Sequence, residues 1–491
     1  MVTKENSCNL GATTEKREIV VSETNISSRT NHSLSERLVV FGVLAIVALA
    51  PLPLGSNRPL PMAALSLFVS LLLISWAILL TLGWTTLHSH TRDLKWSLVG
   101  YGCVCLWILV QWSPVIPNEL ADPVWNSAAK LLDEDIGGRI SVNPDATLRG
   151  LTNLLVYGAI FWLTFHLTRT SERAWLGIRA IAWIGTAYAI YGIAIYMSGN
   201  HWIVIYPKWT YQTSLTSTFV NRNSYATFTG LTLLCAVVIF IRHIAPFLAL
   251  KHPLKSKIVL IVEEIISKAG LKTFSIIAIS IALLLSASRG GVGASTVGLL
   301  TFGAIYLAQK KIRWRQFVSL SLAATVTASI IFFVGGDHLS RRLPDNQVQS
   351  SLEDRTDIYA LTWSAILTSP WKGTGFGTFE DVFPAYRQED ADSLVRWDKA
   401  HNTYLENALE LGLPATILLN LSIALIAFQC LRGTFARKRD KIIPALGVAA
   451  TALVGLHSIV DFSLQIPAIS ILYACIMGIA VSQSWSNRNS R

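Results

Sequence analysis

Charge is scarce in this sequence. Only 14% of its 491 residues are Asp, Glu, Lys or Arg, against about 25% in a soluble globular domain. That shortfall excludes a water-soluble chain, and 52% hydrophobic residues with a mean hydropathy of +0.46 point the same way. Cysteine is also sparse. Of Cys8, Cys103, Cys105, Cys235, Cys430 and Cys475, five fall in or beside apolar runs and Cys8 in a polar N-terminal stretch. No expected external loop contains one, so neither a disulfide framework nor a zinc site follows, and burial as small apolar side chains is expected. GxxxxGK[ST], HExxH and GxSxG are all missing, as is an aspartate motif that would hold a metal on a sugar diphosphate. Nucleotide-driven transport and metal-centred hydrolysis lose weight accordingly. No internal repeat or low-complexity tract is present, and no cofactor is implied.

What the chain has is apolar runs. A helix crosses the hydrocarbon core in about 20 apolar residues, and a window reading finds about twelve such spans. They are Leu38–Leu54, Leu60–Leu82, Trp96–Trp112, Leu151–Leu167, Trp175–Met197, Tyr225–Ile241, Phe274–Ser288, Val292–Ala308, Phe317–Val334, Leu411–Leu431, Ile442–Val460 and Ile466–Val481. The first is interrupted by Pro51 and Pro53. The expected fold is an all-α polytopic membrane protein, with a large external loop carrying short helices. Its organisation reads as a polar tail over 1–35, nine spans within 36–335, an external loop over 336–410, three spans within 411–485 and a short tail over 486–491. The polar tail is too long for the n-region of a signal peptide and is expected to be disordered and cytoplasmic.

The net charge is +11, and its placement matters more than its size. Lys and Arg gather in alternate loops: Arg92 and Lys95, Arg169 and Arg173, Lys251 to Lys272, Lys310 to Arg315, and Arg437 to Lys441. The intervening loops are poorer in bases and richer in acids, such as Asp133, Glu134 and Asp135. By the positive-inside rule the basic set is cytoplasmic, and an even number of spans puts both termini inside. No basic stripe interleaved with aromatics is present, so no nucleic-acid partner is expected. Three external segments are long, about 113–149, 198–224 and 336–410, and the last is where a site is sought. In it Thr356–Leu367 has helical spacing, Lys372–Phe379 reads as a Gly-rich turn, and Asp398–Leu411 reads as helix.

Four places could carry chemistry. Arg289, in Ser-Ala-Ser-Arg-Gly-Gly, sits at the outer junction of two spans; Gly290 and Gly291 allow close backbone approach. The plainer reading is a tight hairpin with an interfacial arginine. Arg222 lies between Asn221 and Asn223, which could cap the span that follows; a helix N-terminus beside an arginine also suits an anion. His401 opens His-Asn-Thr-Tyr-Leu-Glu, and in a first helical turn the dipole would favour its neutral, proton-accepting form. Asn402, Glu406 and Glu410 would then share a face. Arg355, in Glu-Asp-Arg-Thr-Asp, is either a site residue or an exposed salt-bridged one.

Together these pieces resemble the O-antigen ligase and polysaccharide polymerase superfamily of bacterial envelopes. The resemblance runs from about Ser217 to Ala480. It comprises Thr-Phe-x-Asn-x-Asn before a span, Ser-Arg-Gly-Gly between two spans, and a large external loop. That loop holds Arg355, the Trp371–Phe379 turn and the His401 segment ending at Gly412; His457, Asp461 and Pro467 follow. It implies a glycosyltransferase of the bacterial inner membrane, free of nucleotide sugar and obligatory metal. The donor would be a glycan on polyprenyl diphosphate at the external leaflet, and the acceptor a glycan or lipid hydroxyl. The resemblance assigns catalysis to His401 and Arg289, and substrate binding to Arg222, Asn221, Asn223, Arg355 and Glu406. Family members often carry an arginine shortly before Thr-Phe-x-Asn-x-Asn, where this chain has Gln212 and Ser214. A flippase and a chain-length regulator would be the natural neighbours of a polymerase.

Two other classes stay open on the sequence. A lipid-linked glycan transporter would show inverted-repeat halves and charges near mid-membrane. A non-enzymatic envelope protein would not require Arg289, His401 and Arg355 together.

Overall fold

The computed structural model describes residues 35–134, 136–250, 252–310, 345–386 and 397–485. Helices dominate. Among the described residues the exception is a small antiparallel hairpin in which β1, Trp202–Ile203, pairs with β2, Tyr206–Pro207.

Residues 35–49 form α1. It stops before Pro51, which lacks the N–H that a continuing helix needs, and a 3-10 turn Leu54–Ser56 follows. Then come α2 (Pro59–Thr81), α3 (Lys95–Trp112), α4 (Pro123–Leu132), α5 (Pro144–Leu167), α6 (Ser171–Met197) and α7 (Arg222–Ala249). α8 (Leu254–Glu264) runs through a π turn, Ile265–Ala269, into α9 (Gly270–Leu285). α10 (Arg289–Gln309), α11 (Asp345–Thr368), α12 (Thr403–Leu411), α13 (Leu413–Ala436), α14 (Ile442–His457) and α15 (Pro467–Ser482) complete the set. Their starts are written in the sequence. Proline stands in the first turn of α2, α4, α5, α13 and α15, where its missing N–H costs nothing. Asp122, Asn143, Thr170, Asn221, Ser288 and Asn402 accept backbone N–H bonds as N-caps.

Among the described residues eight helices are long and apolar enough to cross a membrane, with α14 and α15 as shorter apolar helices. The protein is therefore a multi-pass, helical membrane protein. These ten match ten of the expected spans. The first expected span yields only α1 and the 3-10 turn, and the ninth, Phe317–Val334, lies outside the described residues, as does the tail over 1–34.

α15 is the centre: all its residues are buried, and it packs most heavily on α5 and α14. Close helix approach uses small residues, as membrane packing requires. Gly478 of α15 faces Thr164 of α5, and Gly230 of α7 faces Ser295 of α10; a Cβ at either glycine would collide. Four of the five described cysteines are buried, whereas Cys103 is exposed, a departure from the expectation of burial that follows from its place on the outward side of α3.

The loops sort to two ends. At one, Glu36 accepts from Arg169 Nη2 at 2.7 Å and also pairs with Arg173. There too Asp440 accepts from Ser171 Oγ at 2.7 Å and Trp175 Nε1 at 3.0 Å, and Trp485 stacks on His90. This is the end that holds the clustered bases. At the other, Leu215 N donates to Leu285 O, Val142 N to Thr374 O and Thr403 N to Ser458 O. The candidate residues gather at this second end.

Candidate functional site

The segment Thr-Phe-Val-Asn-Arg-Asn delivers three side chains in three directions. Asn221 is extended (φ −94°, ψ 129°) and caps α7, its side chain accepting from Asn223 N at 2.7 Å. Arg222 opens the helix, with its guanidinium carbon 5.5 Å from the Tyr211 ring centroid. Asn223 lies about 200° around the helix from Asn221, so it does not cap as expected. It turns inward, accepts from Ser288 Oγ at 2.8 Å and donates to Asp461 Oδ1 at 3.1 Å.

Ser288 belongs to the tight turn between α9 and α10, which Ala287 passes at φ +53°. It caps α10 by accepting from Gly291 N at 3.1 Å. Arg289, the first residue of α10, is exposed. The two glycines after it are needed for contact: a Cβ on Gly290 would stand 3.2 Å from His457 Nε2, and one on Gly291 would strike Ala226.

Below this turn runs a chain of buried hydrogen bonds. His457 Nδ1 lies 2.7 Å from Thr227 Oγ1, which lies 2.9 Å from Ser463 Oγ. Ser463 donates to Asp461 Oδ2. Because a carboxylate only accepts, Ser463 donates to it, and Thr227 Oγ1 lies within reach of Ser463 Oγ and, at 3.2 Å, of Asn223 O. The other ring nitrogen of His457, Nε2, faces Gly290. Asp461 is 0% exposed, so its charge is held by Asn223, Ser463 and this chain rather than by water.

The large loop reaches the same place from the other side. His401 is not in the first helical turn. α12 begins at Thr403, and Asn402 is its cap, accepting from Tyr404 N at 3.0 Å and Leu405 N at 3.1 Å. His401 stands one residue outside, at φ +53°. Its ring is set edge-on by Phe462 at 4.9 Å and Trp397 at 5.7 Å, and its carbonyl accepts from Tyr359 Oη at 2.9 Å. The strap is pinned onto 455–461: Thr403 Oγ1 donates to Asp461 O at 3.0 Å and Tyr404 Oη to Gly455 O at 2.9 Å. Residues 457–462 are thus flanked by Gly290 on one side and His401 on the other.

Glu406 does line up with Asn402 and Glu410, but that face turns inward. Glu406 is 1% exposed, with Oε1 accepting from Lys399 Nζ at 3.2 Å and Oε2 from Ala400 N at 2.9 Å. It braces the residue before His401 and offers no carboxylate to a ligand. Glu410 accepts from Phe379 N at 3.0 Å. Burial, then the neighbouring Glu406, pushes its carboxyl up to about 8, against the pull of Lys399 and two backbone N–H groups. Burial works against charge on Lys399, but Glu406 and Glu410 outweigh it and raise its pKa. The Gly-rich turn closes α12: with Gly373, Gly375 and Gly377 all at positive φ, Thr374 N and Gly375 N bond the orphan carbonyls of Leu409 and Glu410. Arg355 falls in α11, but its side chain lies outside the described residues.

Sequence reasoning missed Thr227, Ser463, Ser288 and Tyr359. The usable signal was a surplus of hydroxyls at span ends, which also arises from plain helix back-bonding. It also missed Lys208, which is buried and donates to Asn200 Oδ1 at 3.0 Å and Ser214 O at 2.7 Å, its pKa lowered to about 8 by burial.

Residues 274–419 match the family model described as O-antigen ligase. That segment is similar to an O-antigen ligase domain, and the superfamily resemblance holds there. The match spans α9 to α13 and includes Arg289, Arg355, His401 and Glu406. Asn221, Asn223, His457 and Asp461 lie outside it. Comparison with curated proteins gave no match.

Proposed function

We propose that this protein transfers a glycan from polyprenyl (undecaprenyl) diphosphate to an acceptor hydroxyl on the external face of the bacterial inner membrane. It would act as an O-antigen ligase or as an O-antigen or exopolysaccharide polymerase. The observation that carries this reading is the shared seat at 457–462, with the Arg289 turn on one side and His401 on the other. The similarity to an O-antigen ligase domain over 274–419 supports the reaction class.

The chemistry follows from the charges. The acceptor oxygen forms a bond to the anomeric carbon as the bond from that carbon to the diphosphate oxygen breaks. Negative charge grows on the leaving diphosphate, and the guanidinium of Arg289, which opens α10 at the positive end of its dipole, is proposed to meet it. Arg222 and Arg355 are proposed to add donor contacts. Asn221 and Asn223 serve indirectly, by capping α7 and joining it to Ser288 and Asp461. The acceptor hydroxyl is a poor nucleophile, and His401 takes its proton; a positioned base contributes about 10²- to 10⁴-fold. Glu406 holds the strap that presents the imidazole.

The clustered bases at the end remote from the site put that end in the cytoplasm by the positive-inside rule. The site end then faces outward, where a flipped lipid-linked donor arrives. The test is product formation by purified protein in nanodiscs, given a polyprenyl-diphosphate glycan, with donor binding scored separately. Turnover without nucleotide sugar and in the presence of a chelator is expected. Donor binding with no product under any acceptor would sink the enzyme reading.

A further inference from the structure

α4 carries more apolar surface than the protein covers. Successive residues of a helix are about 100° apart. Val124, Ala128, Leu131 and Leu132 therefore share one side, Trp125 and Ala129 the next, and Asn126, Ser127 and Lys130 the remainder. The protein uses the tryptophan side: Trp125 Nε1 donates to Ser141 O at 3.0 Å, and Arg139 sits 5.9 Å from its ring centroid. It leaves the leucine side bare. No α4 residue is buried, Leu131 is 86% exposed and Leu132 63%.

The ends of α3 and α5 that flank α4 in sequence also bear exposed apolar residues. Leu109 and Val110 in the last turn of α3, Val115 just beyond it, and Leu148 early in α5 are exposed as well. Both α3 and α5 belong to segments apolar enough to cross a membrane. The root of α4 is fixed between them, with Asp122 N donating to Arg139 O and Ser141 N to Gln111 O.

We propose that α4 lies along the membrane surface at the site end, with Val124, Leu131 and Leu132 among the lipid headgroups and Asn126, Ser127 and Lys130 toward water. The local charge says what kind of surface. Glu119, Asp122, Asp133 and Glu134 stand against Lys130, Arg139 and Lys372, so the local balance is not basic and attraction to anionic lipid is not the cause. Apolar burial drives docking, and zwitterionic lipid suffices. The docked helix is wired to the large loop. Lys372 Nζ donates to Leu120 O at 2.8 Å and Ala121 O at 3.3 Å, one turn before α4. Gln111 Nε2 donates to both Lys372 O and Glu410 O at 2.8 Å. These bonds join the base of α4 to the Gly-rich turn that closes α12.

The experiment uses the full chain with its native cysteines replaced, one new cysteine carrying an environment-sensitive dye, and nanodiscs of phosphatidylcholine and phosphatidylethanolamine. A headgroup-level spin-labelled lipid is the quencher. A dye at Leu131→Cys should emit blue-shifted and be quenched to the extent seen for Leu148→Cys, with no loss in high salt, while Asn126→Cys stays unquenched. The Leu148→Cys signal also reports correct assembly. A Leu131 dye as wet as the Asn126 dye overturns the proposal. Equal quenching at both positions overturns the assigned face, and quenching lost in salt overturns its apolar basis.

Discussion

Asn223 and Asp461, 238 residues apart, meet in a 3.1 Å hydrogen bond from Nδ2 to Oδ1. Through it the start of α7 is tied to the stretch after α14, and Ser288 adds the start of α10. Asn223→Ala should leave Asp461 and Ser288 each short of a buried partner, at a cost of about 1–3 kcal/mol. Asn223→Asp should be worse, because it sets two carboxylates together. Unfolding midpoints in one detergent should rank wild type, alanine, then aspartate.

Arg289 is exposed and opens its helix, so its loss should spare the fold. Arg289→Ala is expected to abolish transfer with expression and unfolding midpoint near wild type. Arg289→Lys should recover little, since lysine lacks the planar fork. Full activity in the alanine variant would leave Arg289 as a turn residue only.

His401→Ala should lower turnover by about 10²-fold or more with donor binding little changed. Glu406→Ala should also lower it, acting through the strap. In the His401→Ala background the second substitution should then cost little more, since residues that act as a unit are non-additive. Additive losses would instead give Glu406 a role of its own toward substrate.

Glu410 supplies a pH dependence with a definite sign. Its pKa rises from 4.5 to about 8 on folding, so the folded protein holds the proton more tightly. The resulting stability is complete below about pH 4.5 and is lost as pH climbs through about 8. Thermal unfolding midpoints should fall over that window and fall less in Glu410→Gln. An identical slope in both proteins would contradict the assignment.

Orientation can be read by labelling single cysteines in a background without native ones. A cysteine at Ser364 should react with an impermeant reagent in intact cells, and one at Lys438 only after lysis. The reverse pattern would invert the protein.

Much of this was legible beforehand for a physical reason. Span length and proline or cap residues are local signals, so ten helices and the Asn221 cap could be read from the chain. Asp398–Leu411 was read as continuous helix because its apolar spacing is helical. Asn402 instead caps at ψ 105°, and His401 takes φ +53°. The family resemblance points to Glu406 as a substrate-binding residue, and only the tertiary fold shows Lys399 and Ala400 N claiming its carboxylate. The Thr227–Ser463–Asp461 chain was invisible because its members lie on different helices, and serines and threonines in spans commonly bond their own backbone.

The burial of α15 on all sides bears on how the protein is made. The ribosome delivers this helix after α5, α6, α7, α13 and α14, the helices it packs against. The earlier helices must therefore wait in the membrane with an unfilled centre, and α15 cannot simply be added at the rim. A nascent chain lacking Pro467–Ser482 would be missing its keystone rather than an edge. It should be a preferred substrate for membrane quality control, and pulse-chase turnover of such a truncation should be far faster than that of a chain shortened within the first 34 residues.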